Sequence, residues 1–337
     1  MLTTRDVGAR VVVRRVVGAR DGRPLYSDVL GDLVEFAEAH VTVRDATGRL
    51  ITVPRDEIAA AKPVPPRSAT RREIVALERV AAAGWPAREA EQLGEWLLRA
   101  ASDWTNRANS VLPLGDPGMP LPEALRQVHD WYAARGLAPR FAVPLPGFGD
   151  VDRELDARGW VVTHTVLVQA AELAAVRDAA ERGAAERAGH SAAGHDAARR
   201  ALPAPRLAAR PDEDWLAVAV HRKGPMPDGA YDVLVGARDP VFAALRDESG
   251  DLLATGRGVV DDGWLGLSLM EVAPHARRRG LARHVVAALA EWAAERGAER
   301  AYLQVESNNE AAIGLYASLG FTTHHTYVNR AAPVHRP

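Results

Sequence analysis

Two stretches of this 337-residue chain repeat the same three landmarks in the same order, and this repeat limits the fold more than any other feature. Trp131-Tyr-Ala-Ala-Arg-Gly136 matches Trp292-Ala-Ala-Glu-Arg-Gly297, each a helix end closed by glycine. Five residues on, Phe141-Ala-Val and Tyr302-Leu-Gln-Val read as strands, and Asp156-Ala-Arg-Gly159-Trp160 then answers Ala317-Ser-Leu-Gly320-Phe321. The distance from first to last glycine is 23 residues in both copies. Two copies of one α/β unit are expected.

The flanking segments have different patterns. Residues 1 to 62 carry short β-type runs, Arg10-Val-Val-Val-Arg14, Leu33 to Phe36, Val41-Thr-Val-Arg44 and Leu50-Ile-Thr-Val53. Turn chemistry at Asp21-Gly22-Arg23-Pro24 and Gly48 separates them, so a small barrel is expected. Pro63-Val64-Pro65-Pro66 follows as a semi-rigid spacer. Ile74, Leu77, Val80 and Ala81 predict a helix, and Leu93, Trp96 and Leu97 predict a second over Ala87 to Ala101. Gly183 to Arg206 is alanine-rich, broken by Gly189 and Gly194, and reads as a loose linker. Its His190 and His195 have no carboxylate or second pair at ligand spacing, so no metal site is expected. The resulting division is a barrel over 1–66, a first copy over 67–182, a linker over 183–206 and a second copy over 207–337.

Composition excludes several chemistries. The chain has no cysteine, which removes disulfides, thiolate metal sites and a route through an enzyme thioester. Its 42 basic and 44 acidic residues leave a net charge of −2, with no global field to gather polyanions. Lys62 and Lys223 are the only lysines, so 40 of the 42 basic residues are arginine and only the placement of an arginine is informative. Residues 1 to 62 carry ten basic and nine acidic residues, which argues against a nucleic-acid module there. No window approaches 18 uninterrupted apolar residues and Met1 to Arg10 has no apolar stretch of signal type, so a cytoplasmic protein without a membrane span is expected.

The strongest chemical signal lies in the second copy. Trp264-Leu-Gly-Leu-Ser-Leu-Met-Glu271-Val272 alternates like a strand, and Ala273-Pro274 leads to Arg277-Arg278-Arg279-Gly280-Leu281-Ala282-Arg283. A helix follows, with Leu281, Val285, Leu289 and Trp292 on one face. Helix starts expose unpaired N–H groups and favour acidic residues, yet this one opens on three arginines. Cations in that place make sense when a polyanion sits on the helix start, so a phosphate-bearing ligand is expected. No G-x-x-x-x-G-K-[ST] occurs, and Gly147-Phe-Gly149 lacks the third glycine of a dinucleotide fingerprint, so nucleotide hydrolysis and hydride transfer recede.

The R-x-x-G-x-A form at Arg277, Gly280 and Ala282 resembles the pyrophosphate-binding motif of the GCN5-related N-acetyltransferase superfamily. Asn309-Glu-Ala-Ala312-Ile-Gly-Leu-Tyr316-Ala-Ser-Leu-Gly320-Phe321 resembles that family's N-x-x-A-x-x-x-Y-x-x-x-G-F element, and its Asn309, Ala312 and Tyr316 fall on one face of a two-turn helix. The resemblance implies an α+β fold of tandem acetyltransferase-like repeats, with acetyl-coenzyme A between two splayed strands. It implies that Arg277, Arg278, Arg279, Gly280, Leu281, Ala282 and Arg283 hold the pyrophosphate, with the pantetheine beside Met270, Glu271 and Val272 and held by Asn309. Tyr316 would protonate the departing thiolate and Glu271 would serve as base, since a protonated amine is no nucleophile. Backbone N–H groups near Val272 would polarise the thioester carbonyl.

The first copy departs from this pattern. Leu114-Gly-Asp116-Pro117-Gly118 stands in place of the arginine loop, Phe148 falls opposite Asn309 and Leu155 opposite Tyr316. It reads as a degenerate copy that covers the active one and shapes its acceptor cleft. The whole layout is similar to actinobacterial acetyltransferases, some described as histone-acetyltransferase-like, in which an SH3-like barrel precedes a two-part region. The expected partners are an amine acceptor of open identity and a protein or peptide at the barrel, with no membrane and no nucleic acid. The alternative reading is an acetyl-coenzyme A sensor that recruits a partner.

Overall fold

The computed structural model describes residues 2–45, 48–64, 68–192, 203–223 and 226–333, and it divides into two compact units, Met1–Ser68 and Ala69–Pro337. Among the described residues no helix is long and apolar enough to cross a membrane.

The first unit holds β1 (Arg10–Arg20), β2 (Arg23–Phe36), β3 (His40–Arg44), β4 (Leu50–Pro54) and β5 (Ile58–Pro63). They pair in the order β4-β3-β2-β1-β5 around Val11, Val13, Leu33, Val41, Val43 and Val53. The closed barrel expected from the strand spacing is not found. β5 uses its ladder on β1, from Val11↔Pro63 to Arg15↔Ile58, and no pairing joins it to β4, so the described strands form an open sheet. Asp21 and Gly22, both at positive φ, close the β1–β2 hairpin with the Asp-Gly chemistry such a turn requires.

The second unit opens with α1 (Arg71–Gly84), β6 (Glu89–Leu93), β7 (Trp96–Ala100), β8 (Leu112–Pro113), α2 (Leu121–Ala133), β9 (Arg140–Leu145), α3 (Gly149–Ala157) and β10 (Val161–Glu172). It continues through α4 (Leu173–Ala192), β11 (Arg206–Ala208), α5 (Glu213–Lys223), α6 (Ala230–Val235), β12 (Val241–Arg246), β13 (Leu252–Asp261) and β14 (Trp264–Val272). It closes with α7 (Leu281–Ala294), β15 (Arg300–Glu306), α8 (Glu310–Ala317) and β16 (Thr322–Ala331). Thr70 starts α1 with a complete capping box to Glu73.

Two sequence expectations are corrected here. The helix expected over Ala87 to Ala101 is the hairpin β6–β7, turned at Gly94 with φ of 57°. Trp96, Leu98 and Ala100 point inward on alternate residues, a strand period that the accident of Leu93, Trp96 and Leu97 disguises. The linker expected from Gly183 is helical at its start, since α4 runs on to Ala192. Alanine supports that helix, and each of its two glycines, Gly183 and Gly189, costs it only about 1 kcal/mol. His195 and the side chain of His190 lie outside the described residues.

The two copies follow one plan: an antiparallel meander, a crossover helix, a parallel strand, a short helix and a last strand. β14 and β15 are parallel across α7, and β8 lies beside β9 across α2 with the parallel bridge Val111↔Phe141. The last strands are exchanged. In the eight-stranded sheet β11-β12-β13-β14-β15-β10-β16-β9, β10 pairs with β15 of the other copy and β16 with β9. Between them Val166 pairs with Tyr327. That pair is 161 positions apart in the chain, as are Gly136 and Gly297, Phe141 and Tyr302, and Gly159 and Gly320. The repeat is therefore a local two-fold centred on Val166↔Tyr327.

One sheet face carries α7, α4 and α8 over Leu265, Leu267, Ala301 and Leu303. The opposite face carries α1, whose Leu77, Val80 and Ala81 meet Trp264, Tyr302 and Tyr327.

Candidate active site

β14 separates from its neighbour partway along its length. Parallel pairing with β15 runs from Trp264↔Arg300 to Leu267↔Leu303 and stops, although both strands continue. On its other edge, Thr255 of β13 faces Glu271 and Arg257 faces Ser268, so Gly256 stands opposite two residues, Leu269 and Met270. This bulge places Leu269 at φ of 52°, and the Thr255 hydroxyl donates to its carbonyl at 3.4 Å. The bulge bends β14 away from β15, and a wedge opens between 268–272 and 304–306.

The bulge also assigns the faces. Met270 and Val272 pack on the α7 side. Ser268 lies on the α1 side, within 3.5 Å of Arg257, and alternation puts Glu271 there too.

At the mouth of the wedge the chain passes through Arg277, Arg278 and Arg279, all exposed, into α7. Arg278 and Gly280 both adopt left-handed backbone, φ of 65° and 78°, and Gly280 is the N-cap. Left-handed residues next to a helix start turn successive N–H groups toward one point, a concavity suited to a phosphate. Arg277 folds back to the Val272 carbonyl at 3.4 Å. Arg283 is directed elsewhere, donating to the Ala179 carbonyl at 2.9 Å and the Ser318 hydroxyl at 2.7 Å, so it joins α4 and α8 to α7. Leu281 is buried beneath the turn and Ala282 is half-buried.

Asn309 caps α8, its Oδ1 accepting from the Ala312 N–H at 3.2 Å. Tyr316, on the same helix, is 7% exposed and meets Phe321 edge-on at 5.7 Å. Tyr316 and Leu281 share one core cluster against which Met270, Val272 and Ala312 pack, so five of these sequence-selected residues converge on the α7 side of the wedge. Glu271 stands across it. In the first copy Phe148 takes the N-cap position of α3 without a capping hydrogen bond, and Leu155 is fully buried.

The α1 side of the sheet holds groups that motif reading missed. Arg257, 1% exposed, donates to the Leu234 carbonyl at 2.9 Å and the Gly84 carbonyl at 3.0 Å, the C-terminal ends of α6 and α1. Those helix ends are partly negative and hold the cation, while burial pushes its pKa down to about 9. Its sequence signal was an arginine between Gly256 and Gly258 in an otherwise apolar run. Farther along α1, His325 bridges Glu78 Oε1 and His324 Nδ1, each at 2.8 Å. Burial, and then His325, push His324 down to about 4 and keep it neutral near pH 7. Among the described residues no group of three or more His, Cys, Asp or Glu could hold a metal ion.

The family described as probable histone acetyltransferase Rv0428c C-terminal matches residues 71–329. The probable histone acetyltransferase Rv0428c of Mycobacterium tuberculosis is 30% identical over 331 residues, covering 96% of this chain and 95% of that protein. The uncharacterized N-acetyltransferase YobR of Bacillus subtilis is 30% identical over 265 residues, covering 77% of this chain and 99% of that one. A solved GCN5-related N-acetyltransferase from Kribbella flavida, 18% identical, superposes with a TM-score of 0.50 over 77% of this chain and 95% of its own, and so has the same fold.

Proposed function

The chain belongs to the Rv0428c C-terminal family of GCN5-related N-acetyltransferases, and from that premise we propose that it transfers an acetyl group from acetyl-coenzyme A to a primary amine within a ternary complex. The observation that carries this reading is the wedge between β14 and β15, which ends in the left-handed turn at Arg278 and Gly280. The N–H groups of that turn and of the start of α7 fit a pyrophosphate, and the exposed Arg277, Arg278 and Arg279 complement its charge. Bound there, acetyl-coenzyme A supplies an activated acetyl thioester.

The chain's own residues do the rest. The edge of β14 past Leu267 that no longer pairs with β15 orients the pantetheine arm and polarises the thioester carbonyl. The amide group of Asn309, whose oxygen is engaged in the cap, donates to the same arm. Glu271, on the α1 side, takes the proton of the incoming ammonium, directly or through water. Tyr316, on the α7 side, returns a proton to the sulfur. A chain without cysteine has no thiolate to carry the acetyl group, which favours direct attack by the amine.

The test is release of free thiol from acetyl-coenzyme A in the presence of a primary-amine panel, with intact-mass spectrometry of the enzyme. Amine-dependent thiol release without an acetylated enzyme supports direct transfer. An acetyl-enzyme competent to acetylate the amine would overturn it, and binding without turnover for any amine would favour the sensor reading.

A further inference from the structure

Three hydrogen-bond donors converge on the Trp85 indole beside the wedge, on the α1 side. Arg107 and Arg257 place their guanidinium carbons 4.8 and 5.0 Å from the ring centre, and Trp104 stacks on the same indole at 6.1 Å. Arg257 Nη2 and Trp104 Nε1 are both buried and neither has a hydrogen-bond partner. No described carboxylate forms an ion pair with Arg107 or Arg257, and the Arg107 charge disfavours that of Arg257. Two like charges and two unsatisfied donors around one ring are costly unless an anion completes them.

The first copy supplies Trp85, Trp104 and Arg107, whereas Arg257 belongs to the second. Arg257 is one strand from the wedge, since its Nη1 lies 3.5 Å from the Ser268 hydroxyl just past the last β14–β15 pair. Gln304, on β15 at the same level, keeps a buried Oε1 without a partner. Its place two residues after Tyr302 puts it on the α1 face as well. Donors without acceptors and an acceptor without a donor thus flank the wedge on the side from which an amine approaches Glu271.

We infer that the acceptor is an amine that also carries a carboxylate, its carboxylate held by Arg107, Arg257 and Trp104 Nε1 and its ammonium group presented to Gln304 Oε1. This deepens the acetyl-transfer reading and rests on it. A planar carboxylate matches the guanidinium fork. A lysine-rich peptide would instead bring more cations to Arg107. The degenerate copy then acts as a specificity element, furnishing the aromatic and cationic wall that reads the acceptor.

The experiment compares amino acids and dipeptides with their decarboxylated amines, and with a lysine-rich tail peptide, at saturating acetyl-coenzyme A. The expected result is at least a tenfold higher kcat/KM for the carboxylated members. Arg107→Ala should raise their KM roughly tenfold or more, with kcat and the Kd of acetyl-coenzyme A within about twofold, and Arg107→Lys should restore part of the loss. Arg107 is partly buried and enters no described ion pair, so this variant is expected to keep the fold. Equal turnover of decarboxylated amines or of the tail peptide, or an unmoved KM in Arg107→Ala, would overturn the inference. If acetyl transfer itself fails, no amine releases thiol. Calorimetric titration of the same carboxylated panel then decides: heat that disappears in Arg107→Ala supports the anion site, and no heat overturns it.

Discussion

Tyr316→Phe is expected to lower kcat roughly 10²-fold while leaving the Kd of acetyl-coenzyme A within about twofold. The substitution removes one hydroxyl and nothing else of consequence to packing. The ring keeps its edge-on contact with Phe321 at 5.7 Å and its burial in the core that spans α7, α8 and the sheet. In the proposed reading cofactor affinity comes from the Arg278–Gly280 turn and the α7 start, which this ring does not form. An effect confined to kcat is the mark of a group that acts only as the thiolate departs. Thiol release under saturating substrates and calorimetry on the same preparation check both halves. An unchanged kcat would remove Tyr316 from the chemistry and leave it a core aromatic.

Gly256→Val should lower the melting temperature by about 5–10 °C and abolish measurable cofactor binding. A Cβ at this position would lie 2.6 Å from Met270 Sδ and 2.8 Å from Val285 Cγ1. The methionine can swing aside, but Val285 is fixed in the buried face of α7, so the helix or the strand must move. Overpacking of this kind costs about 1–3 kcal/mol, which corresponds to several degrees in a domain of this size. Because Gly256 is the residue opposite the bulge, movement here also alters the angle at which β14 leaves β15. Thermal unfolding with and without acetyl-coenzyme A measures both effects. A variant with wild-type melting temperature and affinity would show that the bulge does not set the wedge.

The repeat and the turn before α7 are legible in the sequence for a shared reason: both depend on local chemistry at fixed spacing. Gly136, Gly159, Gly297 and Gly320 all sit at positive φ, where side chains are disfavoured, so they mark the same turns in both copies. Gly280 marks the start of α7 in the same way. The strand exchange was not legible. β10 and β16 alternate alike, and nothing local distinguishes a strand that pairs within its own copy from one that pairs with the other.

The hairpin at 89–100 was misread because its inward residues, Trp96, Leu98 and Ala100, overlap a helical spacing that starts at Leu93. The open N-terminal sheet was misread because strand spacing says nothing about whether the outer strands meet. On the α1 side of the wedge, Trp85, Trp104 and Arg107 lie within 22 residues in the first copy but Arg257 comes from 150 residues farther on, and no motif joins them.

Calorimetric titration of acetyl-coenzyme A into the wild-type protein and into Gly280→Trp tests the proposed cofactor site most directly. Gly280 holds a left-handed conformation at the point where backbone would approach the pyrophosphate, so a bulky side chain both strains the turn and fills the approach. Saturable binding at one site by the wild type is expected, with a loss of at least 100-fold in affinity in the variant and an unchanged far-ultraviolet spectrum. Equal affinity in both proteins, or none in either, would contradict it.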